Sequence, residues 1–139
     1  MQPVSTHQLP RVEVHGEGVA DVAWQGAFVT YGGSGADQSA IIVFEIEPGH
    51  RLGRHTDQTE ESQYVISGTG ELRTDAGVFP IGPGSAFALP TNAPHDLVNT
   101  GDETLRVVGF FAAGMFTQHF DDLMQPMGTH VLGTPNRNG

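Results

Sequence analysis

The residues with chemistry to offer fall in two short stretches of the chain. The first, Pro48-Gly49-His50-Arg51-Leu52-Gly53-Arg54-His55-Thr56-Asp57, is soon followed by Glu60 and Glu61; the second is Pro90-Thr91-Asn92-Ala93-Pro94-His95. His55 and Asp57 are two apart, so on a strand both side chains leave one face, close enough to chelate a single ion. His95 joins them only if the fold gathers distant strand ends, as a barrel does. Imidazole suits Fe, Zn, Ni and Cu while carboxylate suits Mn and Mg, so a mixed set would take a first-row divalent metal. Taken singly, Asp57 and Glu61 read as ordinary turn acids and His95 as a hydrogen-bonded residue at a strand start. His7, His15, His50, His119 and His130 read as surface or hydrogen-bonded residues; His119, after the last strand, is the best placed of them to join a site.

Positioning such groups falls to short strands. Ala40 to Glu47 is predicted as a strand, because Ile42, Phe44 and Ile46 alternate with Glu45 and Glu47. Val12 to Tyr31 is broken by Gly16, Gly18 and Gly26 and reads as two or three strands. Tyr64 to Leu72 reads as strand, glycine turn, strand; a turn at Asp75-Ala76-Gly77 and further short strands lead to Leu89. His95 to Asn99 and Leu105 to Ala112 form another pair. Residues 1–10 read as a loose arm or edge segment. Phe116 to Met124 reads as a short helix ended by Pro126, with a patternless tail after it. Gly32-Gly33-Ser34-Gly35-Ala36-Asp37 lacks the strand-to-helix context of a phosphate loop. Strands recurring roughly every eight to twelve residues between turns make an all-β sandwich or barrel.

The chain has 139 residues, enough for one domain over 1–139 with its own core. Its net charge of −10 repels nucleic-acid phosphates, so no nucleic acid partner is expected. With no cysteine, disulfides, thiolate zinc sites and a Cys nucleophile are excluded. No apolar run approaches the ~18 residues of a membrane span, and no leader opens the chain, so a cytoplasmic protein with no membrane partner is expected.

Extended to Gly68 and Asn99, the two stretches resemble the paired signature of the cupin superfamily, in its small single-domain metal-binding form. Gly49, His55, Glu61 and Gly68 fall on the first half, and Gly84, Pro90, His95 and Asn99 on the second. Asp57 stands where a second His is usual, and Asn92 where Gly is usual; Asn tolerates the positive φ such a turn needs. The resemblance implies a jelly-roll β-barrel with its core at about residues 40–112 and a short C-terminal helix and tail over 116–139. It implies His55, Asp57, Glu61 and His95 as metal ligands, with Glu61 preferred to Glu60 by spacing. Two imidazoles and two carboxylates carry a formal charge of −2 when deprotonated, matching a divalent ion: Fe(II) or Mn(II) first, then Zn(II) or Ni(II). Asp57 is read as a ligand, a partner that orients a ligand, or a base, and Asp57 and Glu61 as the catalytic carboxylates.

A small molecule in the barrel would meet Phe44, Gln63, Phe87, Leu97 and Phe111, with Met115 and Phe116 beside them. The resulting expectation is an Fe(II) or Mn(II) dioxygenase-type enzyme. The alternatives are a redox-neutral isomerase, cyclase or lyase using Asp57 or Glu61 as proton carrier, and a ligand-binding module without activity. Members of the family often pair through N-terminal strands, so a homodimer is expected.

Overall fold

The computed structural model describes residues 2–135, and the last four positions of the expected tail lie outside them. Twelve strands run in chain order: β1 (Val12–Gly16), β2 (Val19–Thr30), β3 (Ala40–Ile46), β4 (His55–Asp57), β5 (Glu61–Ser67), β6 (Gly70–Thr74), β7 (Gly77–Ile81), β8 (Ala86–Leu89), β9 (His95–Asn99), β10 (Leu105–Phe111), β11 (Thr117–Gln125) and β12 (Thr129–Gly133). Every ladder is antiparallel, and one path joins β7-β6-β9-β4-β11-β1-β2-β3-β10-β5-β8, with β12 added beside β11. The curled sheet is all-β, as the alternation of apolar and polar residues requires, and forms the jelly-roll barrel that the family resemblance implies. No helix among the described residues is long and apolar enough to cross a membrane.

The expected helix at Phe116–Met124 is a strand instead. Phe116, Gln118 and Phe120 are buried while Met115, His119 and Asp121 are exposed, which is the two-residue period of a half-buried strand. Three neighbours claim its backbone: β12 along one edge, and β4 and then β1 along the other. Helix propensity in so short a segment has no comparable source of stability.

The main core joins both walls of the barrel. Phe44 and Ile46 of β3, Val65 of β5 and Val107 of β10 pack with Leu72 of β6 and Leu97 of β9. Each side chain so buried contributes roughly 1.5–3 kcal/mol. This cluster plugs one end of the interior. A smaller one of Val14, Val22, Phe120 and Met124 fills the wall behind β11. The N-terminal segment is pinned where Arg11 donates to the Thr6 and Leu9 carbonyls and pairs with the buried Glu45 at 2.7 Å.

Candidate metal centre

Strand β4 is only three residues long, yet it is held on both edges. Its Thr56 lies opposite His119 of β11, and its His55 directly opposite His95 of β9. That pairing sets the two imidazoles side by side, with ring centroids 4.3 Å apart. Two-residue alternation puts Asp57 on the same inward face as His55, and both are buried. His55 Nε2 lies 3.8 Å from Asp57 Oδ1, and His95 Nε2 lies 3.5 Å from Asp57 Oδ2. The three residues offer ligand atoms that all lie within 4.8 Å of one another.

Both rings are aimed from behind. His55 Nδ1 bonds the Gly53 carbonyl at 2.8 Å and His95 Nδ1 bonds the Ala93 carbonyl at 2.9 Å. A carbonyl only accepts, so each Nδ1 carries the proton and each Nε2 presents its lone pair. The Gly53 carbonyl is itself fixed, because Asp96 accepts from the Gly53 amide and from Arg51. Phe120 stacks on His55 with centroids 4.5 Å apart.

Glu61 enters from the opposite wall, on β5, while Glu60 is exposed. Its Oε2 accepts from Gln63 Nε2 at 3.0 Å. Asp57 Oδ1 accepts from Gln118 Nε2 at 2.9 Å. A Cβ at Gly109 of β10 would overlap Glu61 Oε2, so the carboxylate occupies space that only a glycine leaves open. Asp57 Oδ2, Glu61 Oε1, Gln63 Oε1 and His95 Nε2 are buried with no hydrogen-bond partner among the described residues. Buried polar atoms ordinarily find one. A chamber of about 20 Å³, room for one small ion or water, has Glu61, Gln63, His55 and Gln118 as its polar lining, with Asp57 and His95 against His55 just outside it. Orphaned N and O donors around a cavity of that size fit a divalent cation.

The protonation states fit as well. Burial, and then the neighbouring His55, pushes the His95 imidazole down to about 4. Burial also lowers His55, against the pull of Asp57. Both rings are therefore neutral near pH 7 and able to ligate. Burial, and then the charge of Asp57, raises the Glu61 carboxyl well above the usual carboxylate range. These shifts carry a stability signature. Unfolded His95 takes up its proton near 6.5 and folded His95 only near 4, so the metal-free protein loses stability as pH falls through that window. The His95 share is at most about 3 kcal/mol. Glu61 acts with the opposite sign, its contribution being lost as pH rises through its raised pKa. Melting curves of metal-free protein should therefore fall more steeply from pH 6.5 to 4 than those of His95→Gln; parallel curves would remove the buried neutral imidazole from the account.

Of the expected substrate contacts, Phe44 and Gln63 line the chamber, together with Trp24, Ile42, Leu52, Gln118 and Phe120. Phe87, Leu97 and Phe111 do not. Leu97 is wholly buried in the main core and Phe87 packs against that core. Phe111 stacks on Phe116 with centroids 3.9 Å apart, in a separate cluster. Leu97 shares the inward face of His95 and Asn99 on β9, but the interior at its level is packed by the main core. His7, His15, His119 and His130 are exposed, and His119 bonds Thr117. Gln118, Phe120 and Trp24 were not read as site residues. The period-two run Phe116, Gln118, Phe120 was the signal for the first two.

The Cupin domain family model matches residues 42–111. Among curated proteins the chain is 31% identical over 83 residues to Protein SchB of Streptomyces halstedii, covering 59% of this chain and 60% of that protein. It is also 31% identical over 75 residues to Polyketide synthase CurC of Streptomyces cyaneus, covering 53% and 49%. The match thus spans about half to three fifths of these relatives' length. Among solved structures, the polyketide cyclase RemF from Streptomyces resistomycificus superposes with a TM-score of 0.68 at 24% identity, covering 80% of this chain and 78% of RemF. A predicted oxalate decarboxylase from Thermotoga maritima superposes with a TM-score of 0.71 at 17% identity, covering 81% and 99%. Both structural likenesses concern the fold.

Proposed function

This chain belongs to the cupin family, and from that premise we propose that it is a metal-dependent, redox-neutral cyclase acting on a neutral, apolar substrate of the polyketone type. The observation that carries this reading is the absence, among the described residues, of any cationic side chain lining the chamber or the larger cavity of about 340 Å³ beside it. The chain contains no lysine. Arg11, Arg51, Arg54 and Arg73 are engaged with carboxylates elsewhere, and Arg106 is exposed. A dicarboxylate or a sugar phosphate would find no protein countercharge there, and would face two buried carboxylates. A neutral ketone meets no such penalty. The polyketide cyclase and polyketide synthase among the similar proteins agree with this choice.

His55, Asp57 and His95 would hold the metal ion, with Glu61 beside them. When bound, such an ion supplies a Lewis acid that stabilises negative charge developing on a carbonyl oxygen. The residues supply the rest. Glu61, whose Oε2 is held by Gln63, presents its unpartnered Oε1 to the chamber. In an intramolecular aldol closure it takes a proton from an activated methylene and returns one to the alkoxide formed at the attacked carbonyl, so protons balance with no oxidant. Asp57 is held in place by Gln118. Trp24, Ile42, Phe44 and Phe120 exclude water and limit side reactions of a reactive polyketone.

Two imidazoles and a carboxylate also form the facial set of non-haem iron oxygenases, and this favours a dioxygenase as the second reading. One experiment separates them. Protein loaded in turn with Zn(II), Mn(II) and Fe(II) is incubated with a linear triketone under nitrogen and under air. The cyclase reading expects metal-dependent ring closure at equal rates in both atmospheres and no oxygen uptake. Turnover confined to Fe(II) in air, with oxygen consumed, would replace it with the dioxygenase. Retention of no metal at all would leave only a ligand-binding module.

A further inference from the structure

Next to the small chamber lies a larger cavity of about 340 Å³. Trp24, Ile42, Phe44 and Gln118 line both, so the two are adjoining compartments. The outer one is walled by residues of β1, β2 and β3 and covered by β12, and none of the described side chains lining it is charged. Its size is at the lower end of the ~300–1,000 Å³ typical of small-molecule sites. Trp24, Phe28 and Phe44 give it flat aromatic walls.

Gln118 is the polar side chain at the junction, and its amide is orientable. The carboxylate of Asp57 accepts from Nε2, which fixes the NH2 end toward Asp57 and leaves Oε1 on the other end of the amide. No described residue donates a hydrogen bond to that oxygen, and unlike the unpartnered Gln63 Oε1 it is not sealed from solvent. An acceptor set in apolar walls favours a ligand carrying a hydroxyl donor on an apolar body.

We propose that the outer cavity binds a neutral, flat molecule of two or three rings, and that Gln118 Oε1 selects those bearing a phenolic or enolic hydroxyl. The occupant is identified as substrate or product only through the cyclase reading above, on which that step rests; the binding site itself does not depend on turnover. Gln118 is thus a specificity-determining residue, tied on one side to the ligand's hydroxyl and on the other to Asp57.

The test is calorimetric binding of 2-naphthol and of its methyl ether, 2-methoxynaphthalene, to the full chain. The expected result is that 2-naphthol binds about tenfold more tightly than the ether. Gln118→Leu should erase that preference while both compounds still bind. Val131→Trp, at an exposed position of β12 beside the cavity, should weaken both by about tenfold or more. It keeps the location testable should Gln118→Leu fail to fold. Binding of neither compound, equal affinity for both in the native chain, a preference surviving in Gln118→Leu, or unchanged binding in Val131→Trp would each overturn the proposal. None of these results reads metal or turnover. A chain that selects 2-naphthol but closes no ring refutes the cyclase alone, and one that closes rings without preferring 2-naphthol refutes this inference alone.

Discussion

Replacing His95 with Ala is expected to reduce bound metal from one ion per chain to background and to abolish turnover. His95 Nε2 is buried, unpartnered and 3.5 Å from Asp57, and the one imidazole set beside it, that of His55, already belongs to the proposed ligand set. The native protein should gain about 2.7 kcal/mol from a ligand present at a hundredfold excess over its Kd. In a chain of this size that amounts to about 9 °C in Tm. His95→Ala should show no such shift with Zn(II) or Mn(II), although its circular dichroism stays native. The substitution opens a cavity but removes an unsatisfied nitrogen, so the metal-free variant should still fold. Elemental analysis finding one ion per chain in folded His95→Ala would dismantle the proposed centre.

Glu61→Gln is the second large effect, and it is expected to separate binding from chemistry. Glu61 is not one of the three residues whose ligand atoms cluster within 4.8 Å, and its raised pKa suits it to carry a proton. The amide has nearly the same shape and keeps an oxygen to accept from Gln63, but cannot shuttle a proton. Turnover should drop roughly 10²–10⁴-fold with metal content unchanged. Loss of metal along with activity would instead make Glu61 a fourth ligand. Undiminished turnover would end its role altogether. Gly109→Ala is a milder version of the same test: the added methyl pushes on Glu61 Oε2 from behind, so turnover should fall while His55, Asp57 and His95 keep their ion.

The outline of this centre was legible because it rests on short-range rules. The spacing of His55 and Asp57 gives one face of a strand, and the family signature supplies Glu61 and His95. Asn92 is the only non-glycine residue with positive φ among the described residues, at 60°, where the resemblance implied a turn that ordinarily takes Gly. What was not legible depends on which strands face one another. Phe116 to Met124 carries few strong strand formers, and its strand identity comes from its pairing with β1, β4 and β12. With that segment read as a helix, Gln118 and Phe120 could not be assigned to the interior. Leu97 illustrates the reverse limit, since alternation gives the face but not whether that face opens on a cavity or on packed hydrocarbon. Gly109 carries no side chain to announce that Glu61 rests against it.

The groups of the proposed centre are divided between opposite walls. His55, Asp57, His95 and Gln118 belong to β4, β9 and β11, whereas Glu61 and Gln63 ride on β5. The proposed reaction would depend on alignment across a seam that no ladder hydrogen bond between β4 and β5 holds shut. A breathing motion of an ångström at that seam would idle the catalyst with every strand still intact. Heat inactivation should accordingly set in, reversibly, below the temperature at which far-ultraviolet dichroism registers melting.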